Sequence, residues 1–204
     1  MIGVEALLAV YIVAFAIVHS YTASTGFKER MSAHMDPQVY LFLYTVVSAV
    51  TTIPIVGMWL YYRWSAPLVY SVPFPFRWLS FAVMLLGAGI ALASLIQTDP
   101  LDFLGVKAFL GLGTSGGKML IRTGVYSLVR HPLYLGGILF FWANPVMTTV
   151  DLTGSAFATA YFLIGSRLEE RKLMEEFGEE YAEYRREVSG FIPLKRLRKK
   201  SQII

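Results

Sequence analysis

Residues 130–134 read Arg130-His131-Pro132-Leu133-Tyr134, and this stretch stands where a polar segment meets an apolar one. The apolar run continues to about Leu168 and is followed at once by the carboxylate pair Glu169-Glu170. A helical hairpin across this run returns the chain to its starting side, so the two ends of the run lie together. Tyr181 and Tyr184 follow the glutamates. The sequence therefore predicts a cation, an imidazole, two phenols and a carboxylate pair at one end of a membrane hairpin.

The composition is that of an integral membrane protein. Hydrophobic residues make up 55% of the 204-residue chain and charged residues 16%, whereas a soluble domain carries about 25% charged residues. The absence of cysteine excludes disulfides and thiolate metal ligands, and the three histidines, His19, His34 and His131, are too widely spaced to favour a metal site. No metal is expected, and no motif for nucleic acid accompanies the basic charges.

Three apolar stretches, 3–21, 40–62 and 78–97, predict membrane-spanning helices, because about 20 helical residues cross the hydrocarbon core. The run 133–168 is short for two full crossings, at about 35 residues, and Asn144-Pro145 is expected to kink its first arm, 133–150. Two short spans and a hairpin that dips in and returns are both compatible with this length.

A C-terminal amphipathic helix is predicted from about Arg167 onward. Its apolar face carries Glu169 and residues recurring at spacings of four and three, while Glu170 lies about 100° away and Gly178 interrupts the pattern. The predicted fold is therefore all-α: a polytopic helical membrane protein with about five transmembrane helices, the last two forming a short hairpin, plus this helix. Residues 1–97 form the N-terminal membrane part and residues 98–204 the functional core.

The distribution of lysine and arginine predicts the orientation. One side of the predicted topology carries only Arg63 and Arg77, whereas the other carries the remaining basic residues, including the basic tail 195–200. The positive-inside rule then makes the C-terminus and the 130–134 stretch cytoplasmic in a multi-pass protein. The tail is expected to lie beside anionic headgroups, which makes membrane lipids partners.

The motifs resemble those of a known superfamily. Gly124-x-Tyr126-x-x-x-Arg130-His131-Pro132-x-Tyr134, followed by Glu169-Glu170-x-x-Leu173-x-x-x-Phe177-Gly178-x-x-Tyr181-x-x-Tyr184 and Ile192-Pro193, resembles the isoprenylcysteine carboxyl methyltransferase and phospholipid methyltransferase superfamily over about residues 118–194. Val18-His19-Ser20, Asp102-Phe103-Leu104-Gly105, the segment 141–148 and the segment 161–165 are most similar to the methanethiol S-methyltransferase and NnrU-type branch. The resemblance implies a membrane methyltransferase that uses S-adenosylmethionine.

The resemblance also implies which residues line the cofactor pocket. They are Lys118, Met119, Leu120, Ile121, Tyr126, His131, Pro132, Leu133, Tyr134 and Glu169. The chemistry agrees, because a carboxylate such as Glu169 can accept both ribose hydroxyls, His131 and Tyr134 suit the cofactor carboxylate, and Tyr126 can pack on adenine together with residues 119–121.

Arg130 and His19 are the candidate catalytic residues, since either can stabilise an anionic nucleophile. Plainer roles compete with these: His131-Pro132 can cap the hairpin, Arg130 can reach the headgroups, and His19 can be a hydrogen-bonded structural histidine within the membrane.

The expected acceptor is small or lipophilic, and thiol S-methylation is favoured. A thiolate arrives deprotonated, so alignment and exclusion of water suffice and no general base is required. The alternatives are isoprenylcysteine carboxyl O-methylation, phospholipid N-methylation and a non-catalytic membrane accessory protein of the NnrU type. Isoprenylcysteine methyltransferases carry an arginine where this chain has Gly165, and the methanethiol branch carries Gly-His where this chain has Val150-Asp151. The chain thus differs from the pattern of each family, which weakens both the prenylcysteine and the methanethiol assignment.

Overall fold

The computed structural model describes residues 3–103, 106–112 and 119–195, and helices dominate it. The protein is an all-α integral membrane protein with one small two-stranded sheet in its described part. The helices are α1 Val4–Thr22, α2 Thr25–Ser32, α3 Pro37–Tyr62, α4 Arg77–Gln97, α5 Pro100–Phe103, α6 Val106–Phe109, α7 Pro132–Trp142, α8 Thr149–Phe177 and α9 Glu179–Glu187; the strands are β1 Leu68–Ser71 and β2 Val146–Thr148, and Gly124–Ser127 forms a 3-10 turn.

The three predicted spans are confirmed as α1, α3 and α4, each long and apolar enough to cross a membrane. At 1.5 Å per residue they extend about 28, 39 and 32 Å, so α1 and α4 are close to a hydrocarbon core of about 30 Å and α3 is longer than it. The start of α3 has a local cause: the Asp36 carboxylate accepts a hydrogen bond from the Gln38 amide at 2.7 Å, and Pro37 occupies the first helical position.

The first arm of the predicted hairpin is shorter than expected. It was predicted to run over 133–150 with a kink at Asn144-Pro145, but α7 ends at Trp142. The chain after Pro145 instead enters β2, which pairs antiparallel with β1. α7 is therefore only about 16 Å long, well under the thickness of the hydrocarbon core. The count of five spans stays a prediction.

The second arm and the amphipathic helix form one continuous element, which corrects the predicted start at Arg167. Helix α8 runs unbroken from Thr149 to Phe177. Gly178 then takes φ +51°, a value that favours glycine because a Cβ would be strained there. The predicted interruption at Gly178 is confirmed, and α9 begins immediately after it.

The chain forms two compact units. The first comprises Met1–Ser71, Asp99–Gly117 and Val146–Phe157. Within it α1 packs beside α3, and the Tyr11 hydroxyl donates a hydrogen bond to the Thr51 carbonyl at 3.2 Å. The predicted division into 1–97 and 98–204 concerns function rather than compactness, and it stays a prediction.

Asp151 organises the start of α8 in the first unit. Its Oδ2 accepts hydrogen bonds from the Thr148 amide and hydroxyl at 3.0 and 2.8 Å, while the Asp151 amide donates to the Thr148 hydroxyl at 3.2 Å. This reciprocal pair is a capping box. Oδ1 accepts a hydrogen bond from the Trp59 indole at 2.7 Å, and Arg63 lies 4.0 Å from Oδ2. The buried carboxylate thus joins α3 to α8.

The second unit comprises Val72–Thr98, Lys118–Pro145 and Ala158–Ile204. Its centre is the close packing of α4 on α7 through Gly87 and Gly136. A Cβ placed on Gly87 would lie 2.6 Å from the Gly136 carbonyl oxygen, and one on Gly136 would lie 2.5 Å from the Gly87 oxygen. The two backbones approach so closely only because neither glycine has a side chain.

Candidate active site

The site begins where residues 129–131 pair with the chain that follows α9. Val129 forms a parallel bridge with Ser189. The Arg130 amide donates to the Ser189 carbonyl at 2.9 Å, and the His131 amide donates to the Gly190 carbonyl at 3.1 Å. These long-range hydrogen bonds hold residues 129–131, at the start of α7, against residues 189 and 190, which follow α9.

Glu170 is the centre of the charged cluster. Its Oε1 accepts hydrogen bonds from the Arg130 guanidinium, with Nε at 3.0 Å, and lies 3.0 Å from His131 Nε2; Oε2 lies 3.6 Å from Arg185 Nε. Burial acts to raise the pKa of Glu170, but hydrogen bonds and charges from Arg130 and His131 outweigh it and hold the pKa below its usual value. Glu170 is therefore an ionised carboxylate at neutral pH.

His131 lies between two carboxylates. Its Nε2 faces Glu170, and its Nδ1 lies 3.4 Å from Glu169 Oε2. The imidazole is buried, with 4% of the residue exposed. Each ring nitrogen thus faces a different carboxylate, so His131 links the two glutamates.

Glu169 is the more accessible of the pair. Its side chain is 46% exposed, whereas that of Glu170 is 18% exposed. The sequence placed Glu169 on the inward face, and the structure reverses this order of burial because Arg130 and His131 draw Glu170 into the cluster. A carboxylate with this exposure is open to a ligand on the side away from His131.

An aromatic series extends from the cluster along α7. The rings of Phe191 and His131 have centroids 5.5 Å apart, those of His131 and Tyr134 are stacked at 5.7 Å, and those of Tyr134 and Phe162 are stacked at 5.2 Å. The Glu169 carboxylate also interacts with the Tyr134 phenol. This gives the site an apolar wall next to its ionised groups.

Tyr126 connects the site to α4. Its hydroxyl lies 2.8 Å from the Ser94 hydroxyl, and its carbonyl accepts a hydrogen bond from the Tyr184 hydroxyl at 2.7 Å. Burial raises the pKa of Tyr126, and the nearby Glu169 charge adds to the rise, so the phenol is neutral at physiological pH. Tyr181 and Tyr184 are both buried; burial raises the pKa of Tyr181 to about 12.

The structure brings most of the predicted residues into the second unit. Arg130, His131, Tyr134 and Glu169 form one connected set, and Pro132 is buried beside them. The other predicted positions differ in exposure: Met119 is 84% exposed, and Leu120, Ile121 and Leu133 are half-buried. Lys118 lies outside the described residues.

His19, a predicted catalytic residue, belongs to the first unit. Its Nε2 lies 2.7 Å from the Tyr44 hydroxyl and its Nδ1 lies 2.9 Å from the Ser48 hydroxyl. The ring also stacks on Phe15, with centroids 5.2 Å apart. Hydrogen bonds to both ring nitrogens fit a histidine that ties α1 to α3, so its catalytic role stays a prediction.

Four residues of the site were not singled out by the sequence: Glu170 as the organising carboxylate, Ser94, Phe162 and Phe191. For Ser94, a polar residue near the end of an apolar span was a usable signal. Phe162 lies in the segment 161–165 that carries the resemblance, but nothing in that segment indicated a stacking role. Phe191 had no signal, because stacking partners in separate elements leave no local pattern.

Comparison with known proteins finds relatives that are named as methyltransferases. Methanethiol S-methyltransferase 2 of Bradyrhizobium diazoefficiens is 35% identical over 191 residues, which cover 88% of this chain and 69% of that protein. Methanethiol S-methyltransferase of Mycobacterium tuberculosis is 31% identical over 186 residues, covering 88% and 74%. Protein-S-isoprenylcysteine O-methyltransferase of Saccharomyces cerevisiae is 37% identical over 83 residues, covering 37% and 33%. No solved protein structure gives a significant match.

Membrane helices with a polar cluster at an apolar wall, together with these relatives, define an enzyme of the methyltransferase class. The profile of the NnrU protein family matches residues 7–167. The chain belongs to the NnrU family, within the isoprenylcysteine carboxyl and phospholipid methyltransferase superfamily, and the predicted resemblance is confirmed. The names of these relatives support an enzyme over the alternative of a non-catalytic accessory protein.

Proposed function

We propose that the protein transfers a methyl group from S-adenosylmethionine to a small thiol, with the cofactor held at the cluster of His131, Tyr134 and Glu169. The observation that carries this proposal is the accessible Glu169 carboxylate, fixed beside a buried imidazole and an aromatic wall. The named activity of the relatives is the second support.

The residues fit the chemical groups of this cofactor. Glu169 offers an accessible carboxylate for the two ribose hydroxyls. Met119 is 84% exposed and presents an apolar surface for the adenine ring. Tyr126 supplies a neutral phenol close enough to Glu169 to feel its charge. When bound, the cofactor supplies an electrophilic methyl group on a sulfonium.

The chain itself supplies orientation and a dry environment. His131, held by Glu170 on one side, keeps Glu169 in place on the other. The stacked rings of Tyr134 and Phe162 exclude water from the side of α7 that faces α8. A thiolate acceptor needs no proton removed at the moment of transfer, so alignment is the main contribution required.

The Arg130 guanidinium forms its hydrogen bonds with other groups of the protein. It donates to Glu170 and to the Val188 and Arg185 carbonyls. This geometry supports a positioning role through Glu170 in addition to the predicted interaction with an anionic nucleophile. Substitution to alanine separates the two: loss of cofactor affinity indicates positioning, whereas a lower kcat with unchanged affinity indicates contact with the nucleophile.

The acceptor is proposed to be small because of Gly165. A Cβ placed on Gly165 lies 3.8 Å from the Tyr134 hydroxyl, so this position faces the aromatic wall and carries no cation. Isoprenylcysteine methyltransferases place an arginine at the matching position, and the resemblance links that residue to their substrate. The absence of a charge there favours an acceptor without a carboxylate.

Calorimetric binding tests the cofactor site. Detergent-purified protein is titrated with S-adenosylmethionine and S-adenosylhomocysteine, and Glu169→Gln is expected to weaken both by at least about tenfold, since charge-assisted hydrogen bonds are lost. Glu175→Gln is the matched control, because Glu175 is an exposed glutamate on the same helix. If the folded wild-type protein binds neither compound, the proposal is wrong.

An acceptor screen then tests the substrate. Methanethiol, longer alkyl thiols, a prenylcysteine and an amine phospholipid are supplied with the cofactor, and methylated products are measured by mass spectrometry. Turnover of the short thiols alone supports the proposal. Turnover of the prenylcysteine alone contradicts it and makes carboxyl O-methylation the activity.

The site is proposed to face the cytoplasm, on the basis of the basic residues on its side of the predicted topology. The chain has no cysteine, so single cysteines report orientation cleanly. Lys172→Cys, beside the site, is expected to react with a membrane-impermeant maleimide only in inverted vesicles. Ser65→Cys, in the connector between α3 and α4, is expected to react only in right-side-out vesicles. The opposite pattern contradicts the orientation.

A further inference from the structure

An open groove of about 610 Å³ lies in the second unit. Four cationic residues line it: Arg130, Arg185, Arg186 and Lys195. Met174 and Ser189 are also in its lining, whereas His131, Tyr134 and Glu169 are not. The lining of the groove therefore differs from the proposed cofactor site, to which Arg130 is connected through Glu170.

The groove carries an excess of positive charge. Glu170 pairs with Arg130 and Arg185, and Glu179 pairs with Arg186 at 2.7 Å. Lys195 Nζ donates a hydrogen bond to the Arg185 carbonyl at 2.7 Å, and this uncharged acceptor does not neutralise the Lys195 ammonium. Glu183 also acts on the charge of Arg186. Among the described residues, four cations thus face three carboxylates, and the remaining positive charge suits the groove to an anion.

The groove lies at one end of a membrane span. The Tyr184 hydroxyl ties α9 to the Tyr126 carbonyl, and the Tyr126 hydroxyl contacts Ser94, which is three residues before the end of α4. Because α4 is long enough to cross the membrane, a helix fastened to its end lies near the level of the headgroups.

Exposed apolar side chains adjoin the cations. Ile192 is 61% exposed and Leu194 is 58% exposed, and Lys195 follows directly. Apolar side chains beside basic ones are typical of surfaces that rest on the interface of an anionic membrane. A free phosphate ion would make no use of Ile192 and Leu194.

We infer that this groove binds the phosphate headgroup of an anionic phospholipid. The four cations attract the phosphate, and Ile192 and Leu194 lie against the acyl region beside it.

The test uses the full chain purified in a neutral detergent. A short-chain phosphatidylglycerol is titrated by calorimetry, with short-chain phosphatidylcholine and inorganic phosphate as comparison ligands. Phosphatidylglycerol is expected to bind, and the affinity is expected to fall with added salt. Arg186→Gln/Lys195→Gln is expected to weaken binding by about 30-fold, since each cation near an anionic surface contributes about fivefold.

Lys28→Gln/Arg30→Gln is the matched control. It removes the same charge from exposed residues of α2, on the predicted cytoplasmic side, and is expected to leave phosphatidylglycerol affinity unchanged. Both substituted pairs are exposed, and equal thermal unfolding midpoints confirm that the variants fold. The inference is overturned if phosphatidylcholine or phosphate binds as tightly as phosphatidylglycerol, if the two double variants lose equal affinity, or if phosphatidylglycerol does not bind.

Discussion

The contact between α4 and α7 gives the sharpest test of the fold. In Gly87→Ala, the new methyl group would lie 2.6 Å from the Gly136 oxygen and 2.9 Å from the Phe140 amide nitrogen. Ordinary van der Waals contact begins at 3.4 Å, so the two helices must move apart by several tenths of an ångström. Both obstructing atoms belong to the backbone and cannot rotate away.

The magnitude follows from two opposing contributions. Overpacking costs about 1–3 kcal/mol, and the rigid obstruction places this case at the upper end. Alanine regains about 1 kcal/mol of helix propensity over glycine. The net loss is about 2 kcal/mol, which corresponds to a fall of about 4–8 °C in the unfolding midpoint of a chain of this size.

The assay is thermal unfolding in one detergent at one scan rate, followed by tryptophan fluorescence. Gly89→Ala is the control, because Gly89 lies on the same helix and has no atom within 4 Å of an added Cβ. It is expected to be at least as stable as the wild-type protein. Since α7 begins directly after His131, Gly87→Ala is also expected to weaken cofactor binding. Equal stability of the two alanine variants would refute the close packing of α4 on α7.

Three further predictions concern single positions. Asp151→Ala is expected to lower the free energy of unfolding by about 3 kcal/mol, because the capping box and the buried hydrogen bond to Trp59 are both lost. Asp36→Ala removes an exposed cap and is expected to lower it by about 1 kcal/mol. Chemical denaturation measures both values, and equal losses would contradict the difference in burial. The pKa of Glu170 is lowered, so its contribution to stability is present above its ordinary pKa of 4.5 and is lost as the pH falls through the lower folded value. In a pH series, the thermal unfolding midpoint of the wild-type protein should therefore decrease once the pH is below about 4.5. Glu170→Gln should show a smaller decrease. Gly178→Ala is expected to cost about 1–2 kcal/mol through its positive φ, although no atom lies within 4 Å of the new Cβ; unchanged stability would mean that the break between α8 and α9 lies elsewhere.

Much of the membrane architecture could be predicted from local sequence. The three spans are runs of apolar residues whose length alone matches the hydrocarbon core. The break before α9 followed from Gly178, because a positive φ is a property of a single residue. The second span was predicted from residue 40, three residues after the observed start at Pro37. The juxtaposition of His131 with Glu169 and Glu170 was also predicted, since a returning hairpin brings its ends together.

The errors occurred where distant segments decide the structure. Helix α7 ends at Trp142 because the chain after Pro145 pairs with β1, which is far away in sequence. The prediction that the amphipathic helix starts at Arg167 was wrong, because the apolar arm and the charged turn that follows it belong to one helix. A change in side-chain polarity along a helix does not require a break in its backbone.

The sequence by itself determined which three segments are long and apolar enough to cross a membrane, which residues carry charge at their ends, and the family to which the chain belongs. Only the tertiary structure decided which of the two adjacent glutamates is committed to the protein and which remains accessible. That choice depends on Arg130 and on the backbone bonds from residues 130 and 131 to residues 189 and 190. Hydrogen bonds between segments so far apart have no local signature, because each partner alone is compatible with many other arrangements.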